Sequence, residues 1–171
     1  RYEMSDSAVL LNRAKEGFGT MSVSQKYIDS AYKWLETWLT DRGVQDYVPQ
    51  IEHLIESERW DFLLDSFYQV IPFGTGGRRG LVGIGPNRIN PWTIQSSAQG
   101  HSQYLIKQFG EEAGQRGVVL TFDVRKYTQQ GIYDNARPNP IMNLDGLQLA
   151  KSAAMVYAAN GIKVYMFETA R

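Results

Sequence analysis

The sequence predicts an α/β domain, a three-layer α/β/α arrangement with a mixed sheet of about four strands, plus a helical N-terminal extension. Three observations predict this class. The first part of the chain spaces its apolar side chains three and four apart, as one face of a helix requires. The second part holds short apolar runs between Gly-rich and Pro/Asn-rich segments. Two of these runs flank a helical stretch, which is typical of a βαβ unit. We therefore expect an extension over residues 1–66 and a domain over residues 67–171.

Composition narrows the class of protein. The 171 residues are 43% hydrophobic, which is enough for a sizeable core, and 18 basic residues balance 18 acidic ones. This balance gives no support to a nucleic-acid or anionic-membrane partner. The sequence has no cysteine, so disulfides and thiolate metal sites are excluded. No signal-peptide pattern or membrane-length apolar run is visible, and we expect a cytoplasmic protein.

The helical extension is predicted most strongly in "KYIDSAYKWLETWLTD", where the apolar residues follow a helical period. Those residues are Ile28, Ala31, Tyr32, Leu35, Trp38 and Leu39. The segments "VPQIEHLIESE" and "WDFLLDSFYQV" show the same spacing over shorter lengths. The aromatic residues Tyr32, Trp34 and Trp38 are more typical of a core or an interdomain face than of a cofactor site.

The second part begins with "SFYQVIPFGTGG", which predicts the end of a strand running into a turn, and "GLVGIG" predicts a further short strand. Asn90 and Pro91 predict the start of a helix, because Asn caps a helix and Pro suits its first position. The apolar face of that helix is expected to carry Ile94, Ala98, Leu105 and Phe109.

The βαβ unit is predicted from the last third of the chain. "GVVLTFD" predicts a buried strand from Val118 to about Phe122, and "IKVYMF" predicts the closing strand. Between them, "LDGLQLAKSAAMVYAAN" predicts a helix that ends at Gly161, where glycine accepts the left-handed conformation. The two strands should be parallel. The long connection over residues 126–142 has no role predicted from its residues.

The strongest candidate site is the run Gly74-Thr75-Gly76-Gly77 followed by Arg78 and Arg79. Glycines let backbone N–H groups turn inward into an anion-binding concavity, and a guanidinium fork matches phosphate oxygens in pairs. Thr75 adds a hydroxyl donor. A glycine-rich hairpin with two solvated arginines explains the same residues and, on the residues alone, is favoured by roughly two to one because short glycine motifs recur by chance.

Other candidates have plainer explanations. Asp123 and Arg125 follow a strand, where ligands bind in open α/β sheets, but an ion-paired Asp at a loop start is commoner. His101 is more typical of a half-buried, hydrogen-bonded histidine than of a ligand, and His53 is expected at the surface. Arg88 extends the basic patch or pairs with a neighbour. Further polar residues are the carboxylates Glu111 and Glu112, which are expected at a solvated helix end.

Several motifs in register resemble one known family. "FGTGGRRGLVGIGPNRINPWTI" resembles the F-G-T-A-G-L-R-G and G-P-N-R-[MI]-N signature of the alpha-D-phosphohexomutases, the phosphoglucomutase and phosphomannomutase group. "GVVLTFDVR" is similar to the family's strand ending in Y-D-x-R, and "AANGIKVYMF" to the strand before its catalytic loop. "AYKWLETWL" is similar to the helical lead-in of longer members. The resemblance runs from about residue 26 to residue 167 and implies the family's N-terminal domain.

The resemblance implies a function. Members interconvert hexose 1-phosphate and hexose 6-phosphate through a phosphoserine and a bisphosphate intermediate, with Mg²⁺ held by a D-x-D-x-D motif in another domain. By resemblance, Arg79 would be the catalytic arginine at the transferring phosphate, and Thr75, Gly76, Gly77 and Arg78 would bind phosphate or substrate. The implied partners are a phosphosugar and the remaining domains of a parent chain.

Departures from the family pattern limit these implications. Arg78 stands where an apolar residue is usual, and Phe122 replaces the usual Tyr. The chain ends before the T-A-S-H-N catalytic loop, and the magnesium motif is absent, so we expect a fragment that holds no metal and is inactive alone. A non-catalytic phosphate-binding or interaction module of the same fold is the alternative function.

Overall fold

The computed structural model describes residues 6–128 and 131–170. The chain divides into two compact units. The first, called here the helical unit, comprises residues 1–89 with 129–142. The second, called the βαβ unit, comprises residues 90–128 with 143–171. The assignment of residues 1–66 as an extension and 67–171 as a domain stays a prediction.

The helical unit consists mainly of four α-helices and one 3₁₀ helix. The apolar spacing predicted the second, third and fourth α-helices, and the first lies within the 66 residues predicted to be helical as a whole. They are α1 (Ser7–Gly19), α2 (Gln25–Thr40), the 3₁₀ helix (Arg42–Tyr47), α3 (Val48–Glu56) and α4 (Trp60–Phe67). The side chain of Asp6 caps α1 by accepting a hydrogen bond from the N–H of Ala8. These helices are amphipathic, so each gains stability by burying one face against its neighbours.

The core of the helical unit contains buried residues from the predicted apolar faces of α2, α3 and α4, together with residues that the spacing did not predict. Trp38 of α2 is fully buried and meets the ring of Phe67 from α4 edge-on, with 5.6 Å between the ring centroids. Trp38 therefore belongs to the core and not to a cofactor site. The other fully buried large side chains of this unit are Phe18, Leu35, Ile51, Leu54, Ile55, Leu63, Ile84 and Ile141.

The βαβ unit contains α5 (Pro91–Phe109), α6 (Glu112–Arg116), β3 (Val118–Leu120), α7 (Gly146–Ala159) and β4 (Val164–Met166). The strands β3 and β4 are parallel, with Val118 opposite Val164, which confirms the predicted parallel pair. The prediction that the first of these strands is buried was wrong, since Val119 is 66% exposed. Gly161 has φ +74° after α7, as predicted for its cap. The core of this unit is formed by Ala98, Ala153, Tyr157 and Ile162, with Ile94, Leu105, Val118, Leu120, Val156 and Val164 packed around them.

Capping explains where α5 and α7 begin. The side chain of Asn90 accepts a hydrogen bond from the N–H of Thr93, and the Thr93 hydroxyl accepts one from the N–H of Asn90. Asp145 and Gln148 form the same reciprocal capping box at α7. The predicted Asn-Pro helix start is therefore confirmed. Phe109 departs from prediction, since it is 46% exposed at the end of α5.

The predicted single sheet of about four strands is not what the described residues form. They contain two separate two-stranded sheets, β1 (Phe73–Gly74) with β2 (Gly77–Arg78) and β3 with β4. The run "GLVGIG" was predicted as a strand, but in the structure only Val82 bridges to Ile89. The reason is local: the N–H of Ile89 donates to the carbonyl oxygen of Leu81, and the N–H of Gly83 donates to that of Ile89, so the segment folds back on itself here and adds no strand to a sheet. The fold is thus mixed helix and strand with small sheets.

Candidate functional site

The candidate site is a hairpin turn in the helical unit. Strands β1 and β2 pair antiparallel, with Phe73 opposite Arg78 and Gly74 opposite Gly77. Thr75 and Gly76 therefore form a two-residue connection. Gly77 has φ +108°, a conformation that favours glycine because it has no Cβ. The glycine-rich sequence therefore makes this turn, as the residues predicted.

The Arg78 side chain packs against the hairpin itself. Its guanidinium carbon lies 4.7 Å from the centroid of the Phe73 ring, which is the geometry of a cation–π contact. The side chain is half-buried, and this burial lowers the pKa of Arg78 from its ordinary value. Arg78 stabilises the pairing of β1 with β2 through this contact.

Arg79 directly follows the hairpin and is exposed. Within residues 6–128 and 131–170, its guanidinium forms no ion pair with a carboxylate. A Cβ placed on Gly76 would lie 3.4 Å from Nη2 of Arg79, so the guanidinium reaches back across the turn. Thr75 and Gly76 are exposed beside it. A guanidinium fork, a hydroxyl and accessible backbone N–H groups are donors that suit a phosphate.

Arg88 does not extend this basic patch. Its side chain is buried, with Nη2 donating to the carboxylate of Asp65, and its guanidinium lies over the ring of Phe62 at 5.1 Å. Of the two interpretations that the sequence left open, the structure therefore favours pairing with a neighbour. Arg88 supports the segment that follows the turn, and it adds no exposed charge.

Asp123 and Arg125 pair with each other. Nε of Arg125 donates to Oδ2 of Asp123 at 2.6 Å, and the backbone N–H of Arg125 donates to Oδ1 at 3.0 Å. The hydrogen bond from the Arg125 side chain is the main reason that the pKa of Asp123 is lowered. Both side chains lie at the surface, so this is the ion-paired loop start that the sequence favoured over a ligand site.

The two histidines also have structural partners. Nδ1 of His101 lies 2.8 Å from the hydroxyl of Tyr157, which confirms the predicted hydrogen bond, but His101 is exposed and not half-buried as predicted. His53 was expected at the surface, and this was wrong: its side chain is only 27% exposed and Nε2 lies 3.2 Å from the carbonyl oxygen of Ile132. His53 is covered because residues 131–142 fold over α3. Over the described part of the chain, no three His, Asp or Glu side chains cluster as metal ligands would.

The sequence analysis did not predict which residues hold the segment that follows the turn. The hydroxyl of Tyr133 accepts a hydrogen bond of 2.9 Å from the buried N–H of Ile84, and Gln50 binds the backbone around Tyr133. A tyrosine in a connection rich in Pro and Asn was the available signal. Its partner was not predictable, because the two residues are 49 positions apart.

A glycine turn with an exposed arginine defines a candidate phosphate-binding site on a mixed helix–strand chain. Comparison with known proteins finds several relatives. The chain is 33% identical to mouse (Mus musculus) phosphopentomutase over 154 residues, 90% of this chain and 22% of that protein. It is 32% identical to mouse glucose 1,6-bisphosphate synthase, over 69% of this chain and 17% of that protein. It is also 29% identical to a phosphoglucomutase of Staphylococcus haemolyticus, over 64% of this chain and 24% of that protein.

These similarities show that the chain belongs to the alpha-D-phosphohexomutase family, as its motifs predicted. The chain spans about a fifth of the length of the curated relatives that it matches. No protein-family model matches it, and no solved structure matches it. Of the helices that the structure describes, none is both long enough and apolar enough to span a membrane.

Proposed function

We propose that this chain is the phosphate-contacting N-terminal domain of a phosphosugar mutase. The names of its relatives support this class, since they are a phosphopentomutase, a phosphoglucomutase and a glucose 1,6-bisphosphate synthase. The observation that carries the proposal is the position of Arg79, exposed beside a turn that Gly77 makes possible. The parent protein would interconvert hexose 1-phosphate and hexose 6-phosphate through a phosphoserine and a bisphosphate intermediate.

In this proposal Arg79 stabilises the transferring phosphoryl group. Its fork donates two hydrogen bonds to phosphate oxygens, and the charge of the guanidinium offsets the negative charge that accumulates there. Thr75 donates its hydroxyl, and Gly76 and Gly77 allow close approach of the backbone. Arg78 contributes positive charge from the hairpin while its guanidinium stays over Phe73.

The remaining chemistry is assigned to other parts of the parent protein. The sequence contains no D-x-D-x-D stretch and no T-A-S-H-N loop. We therefore expect the Mg²⁺ ligands and the phosphoserine to lie in the remaining domains, and the 171-residue chain alone to show no mutase turnover. Those domains would also complete the larger α/β/α sheet. We place the parent protein in the cytoplasm.

The direct test is a phosphate titration of the ¹⁵N-labelled chain followed by NMR. Inorganic phosphate should shift the backbone amide signals of residues 75–79, and Arg79→Ala should abolish these shifts. Arg125→Ala is the control, because it removes a positive charge that is also exposed but lies in a different loop. Shifts that persist in Arg79→Ala, or that vanish equally in Arg125→Ala, would overturn the assignment of Arg79.

Catalysis is tested separately in the product of the complete reading frame. Arg79→Ala should lower kcat by about 100-fold or more, as loss of one transition-state donor does elsewhere. If the chain binds phosphate through Arg79 but the complete protein shows no mutase activity, the non-catalytic phosphate-binding module becomes the better account.

A further inference from the structure

Residues 131–142, part of the connection that had no predicted role, are fixed to helix α3. Gln50 of α3 is fully buried, and its Nε2 lies 2.8 Å from the carbonyl oxygen of Asp134 and 3.1 Å from those of Arg137 and Pro138. Its Oε1 accepts a hydrogen bond from the N–H of Asp134 at 2.9 Å. One side chain thus satisfies four backbone groups of the segment 131–142, which fixes the path of that segment.

Charged groups hold the same segment. Nη2 of Arg137 donates to the carboxylate of Glu56, and the guanidinium also lies 3.7 Å from the nearly buried carboxylate of Glu52. Nε of Arg137 lies 3.3 Å from Oδ2 of Asp134. The Arg137 side chain is only 18% exposed, so these interactions are weakly screened by solvent.

Tyr133 connects the fixed segment 131–142 to the backbone that follows residues 74–79, called here the phosphate turn. The tyrosine is buried, and its ring meets Phe62 edge-on at 6.0 Å. Its hydroxyl accepts the hydrogen bond from the N–H of Ile84, and a Cβ on Gly83 would lie 3.1 Å from the same oxygen. Tyr133 therefore contacts the backbone only a few residues after Arg79.

The segment between Arg79 and Ile84 can transmit that restraint. The N–H of Ile89 donates to the carbonyl oxygen of Leu81 at 2.8 Å, and the N–H of Gly83 donates to that of Ile89 at 3.1 Å. A Cβ on Gly80 would lie 2.5 Å from Cδ1 of Ile71, so this backbone is packed closely against its neighbour. We therefore expect a displacement of the Ile84 backbone to displace Arg79 as well, because the residues between them are few and closely packed.

We propose that Tyr133 is a positioning residue for the phosphate turn. Residues 131–142, called here the brace, hold Tyr133 in place. The proposal rests on the proposed function of Arg79. Without the Tyr133 hydroxyl, the N–H of Ile84 is buried without this acceptor, and the backbone must move to satisfy it. If the turn is less ordered in the free chain, phosphate binding must order it at a larger cost in free energy, so phosphate binds more weakly.

The test compares Tyr133→Phe with the unsubstituted chain in the same phosphate titration. The phenylalanine keeps the ring against Phe62 and removes only the hydroxyl. We expect the Kd for inorganic phosphate to rise about fivefold, the effect of losing one hydrogen bond. Hydrogen exchange at the Ile84 amide should accelerate. Ile55→Val is the control, because it removes a buried methyl group of α3 and lowers stability without removing any hydrogen bond to residues 131–142.

The outcomes separate the two proposals. If the unsubstituted chain does not bind phosphate at residues 75–79, the proposed function fails and the positioning role fails with it. If it binds and Tyr133→Phe binds equally well, or only as weakly as Ile55→Val, the positioning role alone is overturned. Should Tyr133→Phe fail to fold, Arg137→Lys takes its place, since it keeps the charge and loses the fork that holds the segment. Unchanged phosphate affinity in Arg137→Lys would then overturn the proposal that residues 131–142 help to position the phosphate turn.

Discussion

Arg78 and Phe73 face each other across the hairpin, with the guanidinium carbon 4.7 Å from the centre of the ring. The adjacent Arg79 directly follows the hairpin and is exposed. Two arginines that are neighbours in sequence therefore have different surroundings. One stabilises the hairpin, and the other is available to an anion.

The first prediction separates these two roles. Arg78→Ala should lower the free energy of unfolding by about 0.5–1 kcal/mol, the size of a cation–π contact near the surface. It should weaken phosphate binding less than Arg79→Ala does. Urea unfolding and phosphate titration of the two variants check this. A larger loss of phosphate binding in Arg78→Ala would reverse the assignment of the two arginines.

The second prediction concerns the turn itself. Gly77→Ala should cost about 1–3 kcal/mol, because alanine is strained at the positive φ of this residue. A Cβ there would meet no atom within 4 Å, so the cost is conformational and not steric. Gly76→Ala is the matched control, since its Cβ would meet only the flexible end of Arg79. Equal unfolding midpoints for the two variants would contradict the strained turn.

The third prediction concerns the start of α5. Asn90→Ala should lower stability by about 1–2 kcal/mol, because the N–H of Thr93 loses its capping oxygen. Ser24→Ala gives the comparison, since Ser24 precedes α2 without making a side-chain capping bond. Chemical denaturation followed by circular dichroism measures both. If both substitutions have the same small effect, the cap does not stabilise α5.

The fourth prediction concerns alkaline pH. Burial raises the pKa of Tyr157, whose hydroxyl lies 2.8 Å from Nδ1 of His101. Below the unfolded pKa of about 10 the stabilisation by the neutral tyrosine is fully present. As the pH rises further, the unfolded chain loses its proton first, and folded stability falls until the pH passes the folded pKa.

Urea unfolding at a series of pH values above 9 tests this behaviour. Tyr157→Phe should reduce the loss of stability at high pH without abolishing it, because burial also raises the pKa of Tyr127. An identical pH dependence in Tyr157→Phe and the unsubstituted chain would show that Tyr157 is not responsible.

Much of the local structure was predictable, because local interactions decide it. The spacing of Leu35, Trp38 and Leu39 predicted the buried face of α2, and Asn90 with Pro91 predicted the start of α5. The glycines around Thr75 predicted the turn, since few other residues accept its backbone conformation. The motif around Arg79 also predicted the family.

Strand pairing was less predictable, because it depends on partners distant in sequence. "GLVGIG" has the composition of a strand, yet Leu81 and Gly83 bond to Ile89 a few residues later, and the described residues form two small sheets. The different surroundings of Arg78 and Arg79 were equally unpredictable from the sequence. It depends on the register that places Phe73 opposite Arg78.

The helices, the Asn90 and Gly161 caps and the family were predictable from the sequence, because each depends on residues close together or on motifs in order. The parallel β3–β4 pair was predictable because a helix connects two apolar runs. The burial of Arg88 against Asp65, the covering of His53 and the contact of Tyr133 with the backbone of Ile84 are visible only in the folded chain. These contacts join residues far apart in the chain, so no local pattern carries them, and they exist only once the helices have packed.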